Sequence, residues 1–195
     1  MEKLSHKART RQRILDEASV VMRESGTEGI GVAALMKRAG LTHGGFYAHF
    51  ASREELVQAV IAEMFTDSAR RFADITALED PAERLNQLID HYLSEQHCNT
   101  PGEGCPLPAL VSEMAHLPVE TRALFSQRRE LLRQRLVQTL HELHHPQADE
   151  AATMMLAEMV GAVSLARACP DAEEARQMLA SSRRSVKQRA GLDTI

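Results

Sequence analysis

The sequence predicts an all-α fold, in which an N-terminal three-helix head is joined by a long helix to a larger helical body. The 195 residues include no tryptophan, only 10 glycines and 7 prolines, and many residues of the types that favour helices. Apolar residues recur at helical spacing, and no strand-like alternation stands out. A chain of this length can form a small head on a larger body.

The head begins with two predicted helices and a turn. The first helix carries apolar residues at helical spacing from Ile14 to Met22, and Ser25-Gly26 ends it. The second helix is short and extends from about Val32 to Arg38. In the following turn, Gly40-Leu41-Thr42, the glycine allows the positive φ that stops a helix, and the threonine can cap the next one. This order predicts a helix-turn-helix motif.

The third helix of the head, His43 to Phe50, is too short to be stable alone. Phe46 and Phe50 are one helical turn apart, so we expect them to anchor this helix on its neighbours. The other side chains of the helix are then left facing outward.

A long helix is predicted from Arg53 to about Ile75, because Ser52 and Glu55 form a capping box at its start. This helix leaves the head and must enter the body. We therefore divide the chain into a head of residues 1–56 and a body of residues 57–195, joined by a shared helix that can transmit motion.

Arg53 stands in the first turn of that helix, where its charge opposes the helix dipole. The misfit makes sense if a phosphate lies nearby, since a helix start also offers free backbone N–H groups. A solvated arginine beside Glu54 and Glu55 is an equally good interpretation.

Residues 39–56, A-G-L-T-H-G-G-F-Y-A-H-F-A-S-R-E-E-L, closely resemble the recognition-helix signature of the TetR family of one-component transcriptional regulators. The resemblance covers the first quarter to third of the chain. It implies that Phe46 and Phe50 are core, and that Tyr47, His49 and Arg53 mostly contact DNA phosphates. The residues that it places against DNA are Thr42, His43, Gly44, Gly45, Tyr47 and His49.

The sequence departs from the family pattern at two places. Gly31-Val32-Ala33 stands where the family often has a serine or threonine, which weakens the case for DNA contacts from that helix start. Ala48 replaces a residue that is often aromatic or polar, and it can touch a thymine methyl but cannot donate a hydrogen bond. Gly45 has no side chain to read a base, so His43 and Thr42 are the better candidates for direct readout.

The charge distribution also favours DNA binding by the head. The net charge is −4, but residues 1–56 hold 9 Lys or Arg against 7 Asp or Glu, whereas the remainder holds 14 against 20. A basic N-terminal arm ahead of a helix-turn-helix suits phosphate contacts. A disordered, solubilising N-terminus is the alternative. The basic residues of the arm are Lys3, Lys7, Arg9, Arg11 and Arg13.

The body is predicted to contain several further helices. One begins at Asp80-Pro81, residues 98–108 form a loop that leads into another, and a long one spans about Pro118 to Leu143. The helix Asp149 to Ala168 is apolar around most of its circumference, and Pro170-Asp171 starts the last helix. We expect the last two helices to pair with those of a second chain in a two-fold, four-helix interface.

Cys105 is a candidate sensor, because it follows a glycine-containing loop near a helix start that can favour the thiolate. The stretch C-P-L-x-x-L-x-x-E is similar to a segment of some electrophile- or oxidant-responsive TetR-like repressors. A small buried hydrophobic residue that closes the loop is the alternative interpretation. Cys98 could be a resolving partner.

Other function classes find little support. The sequence holds no nucleophile elbow, glycine-rich phosphate loop or paired carboxylates, so we predict neither an enzyme nor a cofactor. His141 and His145 are one helical turn apart but have no further ligand nearby, so no metal site is predicted. Without an apolar N-terminal run or eighteen consecutive apolar residues, we expect a soluble cytoplasmic protein with no membrane partner.

We therefore predict a homodimeric, sequence-specific DNA-binding regulator whose helical body binds an effector. It would be a repressor that leaves a palindromic operator in double-stranded DNA when a small molecule or thiol modification shifts the spacing of the two heads. An activator on the same fold is also compatible with the sequence. The main alternative is a helical ligand-binding or redox-sensing dimer without specific DNA readout.

Overall fold

The computed structural model describes residues 5–29 and 31–192, and this part of the chain is helical and contains no β-strand. Lys3 of the predicted arm lies outside the described residues. The longer helices are α1 (His6–Ser25), α2 (Val32–Arg38), α3 (Arg53–Arg71), α5 (Pro81–Tyr92), α8 (Val119–Glu142), α9 (Ala148–Ala168) and α10 (Ala172–Arg189). Shorter helices are α4 (Ala73–Thr76), α6 (Glu95–Asn99) and α7 (Pro106–Leu110), with 3₁₀-helices at His43–Ala48, Pro101–Glu103 and Met114–His116.

The described chain forms two compact units, and each of them contains two separate stretches of the sequence. The first unit contains the residues up to Ser68 together with Pro101–Phe125, and the second contains Ala69–Thr100 and Ser126–Ile195. Residues 101–125 join the first unit because they pack on α1. The division between residues 56 and 57 stays a prediction about the functional domains.

The helix starts of the head and body follow the capping residues in the sequence. Ser5 accepts a hydrogen bond from the Ala8 N–H at the start of α1, and Asp80 accepts one from Ala82 at the start of α5. Gly26 ends α1 with φ +78°, as the Ser25-Gly26 pair predicts. These local signals confirm the predicted end of α1 and the predicted start of α5.

The structure corrects the prediction of a basic arm ahead of the first helix, because α1 already begins at His6. Lys7, Arg9, Arg11 and Arg13 are therefore residues of a helix and not of an extended arm. Their spacing of four residues places Lys7 with Arg11, and Arg9 with Arg13, on common faces of α1.

The long helix ends earlier than predicted, at Arg71 rather than near Ile75. The backbone leaves the helical conformation at Phe72, with φ −92° and ψ 4°, and α4 follows. This turn brings the Phe72 ring to 4.9 Å from the ring of His91 and 6.4 Å from that of Tyr92. These ring contacts form where α3 ends. The apolar periodicity of the sequence does not reveal them, so it predicted a longer helix.

The helix that follows Cys105 is short. α7 ends at Leu110, a turn closed by the Glu113 N–H on the Leu110 carbonyl follows, and only a 3₁₀-turn covers Met114–His116. Leu117 is extended, as expected for a residue before Pro118.

The core of the second unit is formed largely by α9 and α10. By length and composition α9 could cross a membrane, with a mean hydropathy of 1.3 over 18 residues. However, one side of α9 is buried in the unit, which is what a core helix requires. The buried residues are Ala148, Ala151, Ala152, Met155, Met159, Ala162, Val163 and Ala166.

Candidate nucleic-acid interface

The turn between α2 and the next segment has the geometry that the sequence predicts. Gly40 adopts φ +69°, its N–H donates to the Lys37 carbonyl at 3.0 Å, and the Leu41 N–H donates to the Met36 carbonyl at 2.8 Å. This pair of hydrogen bonds closes the end of α2 around the left-handed glycine. The turn thus fixes where the next segment begins.

The recognition segment, His43–Ala48, is a 3₁₀-helix and not an α-helix. The predicted side-chain cap from Thr42 is not formed, because the Gly45 N–H bonds to the Thr42 carbonyl at 3.1 Å instead. The Thr42 side chain is therefore exposed and does not close the helix start.

Two phenylalanines hold the recognition segment in place, as predicted. Phe46 and Phe50 are each only 1% exposed, and their rings stack with centroids 5.6 Å apart. Tyr47 meets the Phe46 ring edge-on at 5.3 Å but is 70% exposed. A six-residue segment is thereby fixed on the core while its opposite side faces outward.

The structure brings most of the predicted DNA-facing residues to one exposed stretch. Thr42, His43, Gly44 and Tyr47 are exposed, and Gly45 is half-buried. A Cβ at Gly44 would meet no atom within 4 Å, and one at Gly45 would meet only ordinary contacts at 3.6 Å or more. Neither glycine has a positive φ, so the fold itself does not require glycine at these two positions.

Arg53 is partly engaged within the protein. Its Nη1 atom lies 2.6 Å from a Glu28 carboxylate oxygen, and Nη2 donates to the Thr27 carbonyl at 2.6 Å. Both contacts hold the chain that follows α1. A phosphate contact by Arg53 stays a prediction, and the phosphate would have to share this guanidinium with Glu28.

The start of α3 is capped by a variant of the predicted box. The Ser52 hydroxyl accepts from the Glu55 N–H at 3.2 Å, whereas the Glu55 carboxylate accepts from the Ala51 N–H at 2.7 Å, one residue before the expected donor. The cap fixes the exit of the chain from the recognition segment.

His49 follows the recognition segment and is half-buried. Burial is the main cause that lowers the pKa of His49 below its usual value, and the nearby charges of Lys7, Arg11 and His6 lower the pKa further. Arg11 also lies over the Phe50 ring, 4.7 Å from its centroid. This grouping was not predicted from the sequence, although the four-residue spacing of Lys7 and Arg11 on one helix face is a visible signal of it.

The structure buries Cys105, which is 2% exposed and stands at the N-cap position of α7. Cys98 is also buried, and burial raises the pKa of its thiol. Reactive cysteines usually need both access and a stabilised thiolate. The sensor role of Cys105 stays a prediction, and the burial favours the alternative of a small core residue.

No group of three or more His, Cys, Asp or Glu residues that could hold a metal ion occurs within residues 5–29 and 31–192. His145 bonds within the protein, since its Nε2 atom lies 2.9 Å from the Arg189 carbonyl and its Nδ1 accepts from the Gln147 N–H at 3.2 Å. These bonds hold the turn between α8 and α9.

Both parts of the chain match models of known protein families. Residues 14–60 match the model described as bacterial regulatory proteins, tetR family. Residues 81–180, just over half of the chain, match the model described as transcriptional regulator LmrA/YxaF-like, C-terminal domain. The chain belongs to the TetR family of bacterial regulatory proteins.

Two curated relatives are similar in sequence to parts of this chain. The HTH-type transcriptional regulator LmrA of Bacillus subtilis is 28% identical over 106 residues, which are 53% of this chain and 56% of that protein. The A-factor receptor protein of Streptomyces griseus is 35% identical over 63 residues, 32% of this chain and 23% of that protein. The matches therefore span about half or less of the relatives' length.

A TetR-family transcriptional regulator from Cytophaga hutchinsonii has the same fold, with a TM-score of 0.85 and 21% identity over 97% of each chain. This likeness confirms the predicted all-α architecture of a helix-turn-helix head and a helical body. The recognition segment lies within residues 14–60, the part of the chain that matches the tetR-family model.

Proposed function

We propose that this TetR-family protein is a sequence-specific DNA-binding transcriptional regulator, a repressor that leaves a palindromic operator when an effector binds. The observation that carries the proposal is the recognition segment, whose two phenylalanines are buried while Thr42, His43 and Tyr47 are exposed. Exposed polar side chains on a rigid support are what base and phosphate contacts require.

The glycines of the segment support the same function. Gly44 and Gly45 are not needed for the backbone conformation or for packing, as their φ values and surroundings indicate. A side-chain-free surface lets a second molecule approach the backbone closely. A DNA backbone or base edge fits this description, so we assign both glycines to the DNA-facing surface.

A homodimer is part of the proposal, since one six-residue segment makes too few contacts for useful specificity. In α9, Met154 is 48% exposed and Leu165 is 61% exposed, and a Cβ at Gly161 would meet no atom within 4 Å. These positions recur near helical spacing and leave an apolar stripe that a second copy can cover. A cytoplasmic location is also part of the proposal, since it fits a DNA-binding member of a family of bacterial regulatory proteins.

The effector-binding role of the body is supported by the match of residues 81–180 to an LmrA/YxaF-like C-terminal domain. One relative is named as a receptor for A-factor. An effector acts by binding more tightly to the conformation that fits the operator poorly.

Thiol modification of Cys105 is a second route of release. Because the thiol is buried, the modification requires the segment around α7 to open first. Replacing Cys105 with Ser, and separately with Ala, should abolish any loss of operator binding under an alkylating agent. Equal loss in both variants and the parent protein would remove Cys105 from consideration.

The experiment that tests the proposed function is selection of bound duplexes from a random DNA library by the purified protein. We expect enrichment of a palindrome, with weaker binding at higher salt. A matched variant, His43→Ala, should lose enrichment at specific base positions while its far-UV circular dichroism is unchanged. No enrichment at moderate salt would favour a helical ligand-binding dimer without specific readout.

A further inference from the structure

His49 belongs to a group of four basic side chains within the first compact unit. His6, Lys7 and Arg11 come from the first turns of α1, and their charges act on the His49 ring. Arg11 is held over the ring of Phe50, the buried neighbour of His49. We call these four residues, His6, Lys7, Arg11 and His49, the basic cluster.

Among the described residues, the charges that shift the pKa of His49 are all basic, so none of them supplies a counter-charge to the basic cluster. The first turn of α1 contains no acidic residue, although acids are favoured there by the helix dipole. In the neighbouring elements, Glu17 is paired with Arg38 of α2, and Glu28 with Arg53 of α3. Glu55 accepts a hydrogen bond from the Ala51 N–H.

The imidazole itself is poorly suited to carry a proton in the free protein. Its Nδ1 atom is buried and has no hydrogen-bond partner among the described residues. A protonated ring would need acceptors for both nitrogens, whereas the neutral ring needs one. Partial burial and the three basic neighbours all lower the pKa of His49, which favours the neutral ring in the free protein.

We propose that the basic cluster is a DNA phosphate subsite in which binding of a phosphate loads a proton from solvent onto His49, so that DNA binding is coupled to proton uptake. The proposal rests on the proposed DNA-binding function and adds the chemistry of one subsite. Lys7 and Arg11 supply fixed positive charge, and His49 supplies a charge that exists only in the complex.

The physical argument is that a phosphate reverses the field at the ring. The phosphate brings negative charge and acceptor oxygens, and both favour the protonated imidazole. Rotation of the ring about its broad Cβ–Cγ torsion can turn a nitrogen toward the phosphate. The pKa of His49 is then higher in the complex than in the free protein.

The sign of the pH dependence follows by linkage. Protons bind to the complex more tightly than to the free protein, so affinity rises as the pH falls from the pKa of the complex to the pKa of the free protein. Uptake of one proton per half-site corresponds to a change of up to about tenfold in affinity per pH unit for each half-site.

Calorimetric titration of the protein with a selected duplex, in two buffers of different ionisation enthalpy at pH 7, measures the uptake directly. We expect about one proton per half-site for the parent protein. His49→Gln keeps a polar side chain but cannot be protonated, and its uptake should be about one proton per half-site lower than that of the parent protein, because only His6 and His43 can then still take up protons at the interface. His141→Gln, on exposed α8, is the matched control and should keep the full uptake.

The outcomes separate this proposal from the proposed function. Full proton uptake in His49→Gln, or none in the parent protein, would overturn the proton-coupled subsite while leaving DNA binding intact. If the library selects no sequence, the same titration is made with a generic duplex at low salt. Uptake that depends on His49 would then support the subsite although specific readout fails, and absence of binding would overturn both.

Discussion

The carboxylate of Glu113 accepts two hydrogen bonds from Thr27, at 2.8 Å from its backbone N–H and 2.7 Å from its hydroxyl. Thr27 follows the end of α1, and its carbonyl accepts from Arg53 at the start of α3. A Cβ at Gly26 would collide with the same carboxylate. Glu113 is thus built into the support of the head, although 86 residues separate it from Thr27.

Replacing Glu113 with Ala should lower the free energy of unfolding by about 1 to 3 kcal/mol, because the partly buried N–H and hydroxyl of Thr27 lose their acceptor. Denaturation by urea, followed by circular dichroism, measures the change. Glu79→Ala is the control, since Glu79 is exposed and its loss should cost less than about 0.5 kcal/mol. Equal effects of the two substitutions would contradict the supporting role of Glu113.

A larger effect is expected at Arg23, whose side chain is 1% exposed. It donates to the carbonyls of Met64 and Gly102 at 3.0 and 3.3 Å and pairs with Asp67 at 3.1 Å. Arg23→Ala should cost about 3 to 5 kcal/mol, because a partly buried carboxylate and two carbonyls lose a buried charged donor.

The matched control for Arg23→Ala is Arg38→Ala, which removes the exposed pair with Glu17. Exposed pairs contribute about 0 to 1 kcal/mol, so this variant should unfold at nearly the parent concentration of urea. If Arg23→Ala were equally mild, the buried network around α1 and α3 would contribute little to stability.

Gly44→Ala separates DNA binding from folding. A Cβ at Gly44 meets no protein atom, so the variant should be as stable as the parent or more stable by up to about 1 kcal/mol, because alanine restricts the unfolded chain. The added methyl should weaken binding to the selected duplex at least several-fold if DNA approaches the backbone there. Unchanged affinity would place Gly44 outside the interface.

The sequence predicted the parts of the fold that depend on near neighbours. Gly40, the Phe46–Phe50 pair and the Ser52 cap were all visible because their partners lie within a few residues. The bonds of Arg23 and Glu113 join residues 41 to 86 positions apart, and no local pattern encodes them. The 3₁₀ form of the recognition segment was not predicted, since the spacing of Phe46 and Phe50 does not distinguish a 3₁₀-helix from an α-helix.

The dimer interface is tested by placing charge on the exposed stripe of α9. Met154→Glu and Leu165→Glu should each shift the protein toward monomers in sedimentation velocity, because a carboxylate would be buried against a second copy. Val163→Arg would not test the interface, because Val163 is fully buried within its own unit. That substitution would unfold the chain.

Val119→Glu is the control for the dimer experiment, because Val119 is 60% exposed in the first compact unit, away from α9 in the sequence. It should leave the sedimentation coefficient unchanged. A dimer mass in both α9 variants at micromolar concentration would show that this stripe is not the interface.

His97 provides a prediction about pH and stability. The ring is buried, and burial is the main cause that lowers its pKa to about 4. Its Nδ1 atom lies 2.6 Å from the Tyr92 carbonyl, so Nδ1–H donates and the ring is neutral. The unfolded chain, with a histidine pKa near 6.5, binds a proton more readily than the folded protein between about pH 4 and 6.5.

Stability must therefore fall as the pH decreases through this window, by about 2 kcal/mol between pH 7 and pH 5 from His97 alone. His97→Asn removes the titration and can still donate to the Tyr92 carbonyl, so its unfolding free energy should change less over the same range. His141→Asn, on the exposed surface of α8, should retain the parent dependence. If His97→Asn keeps the pH dependence of stability that the parent protein shows, another group must bind the proton on unfolding.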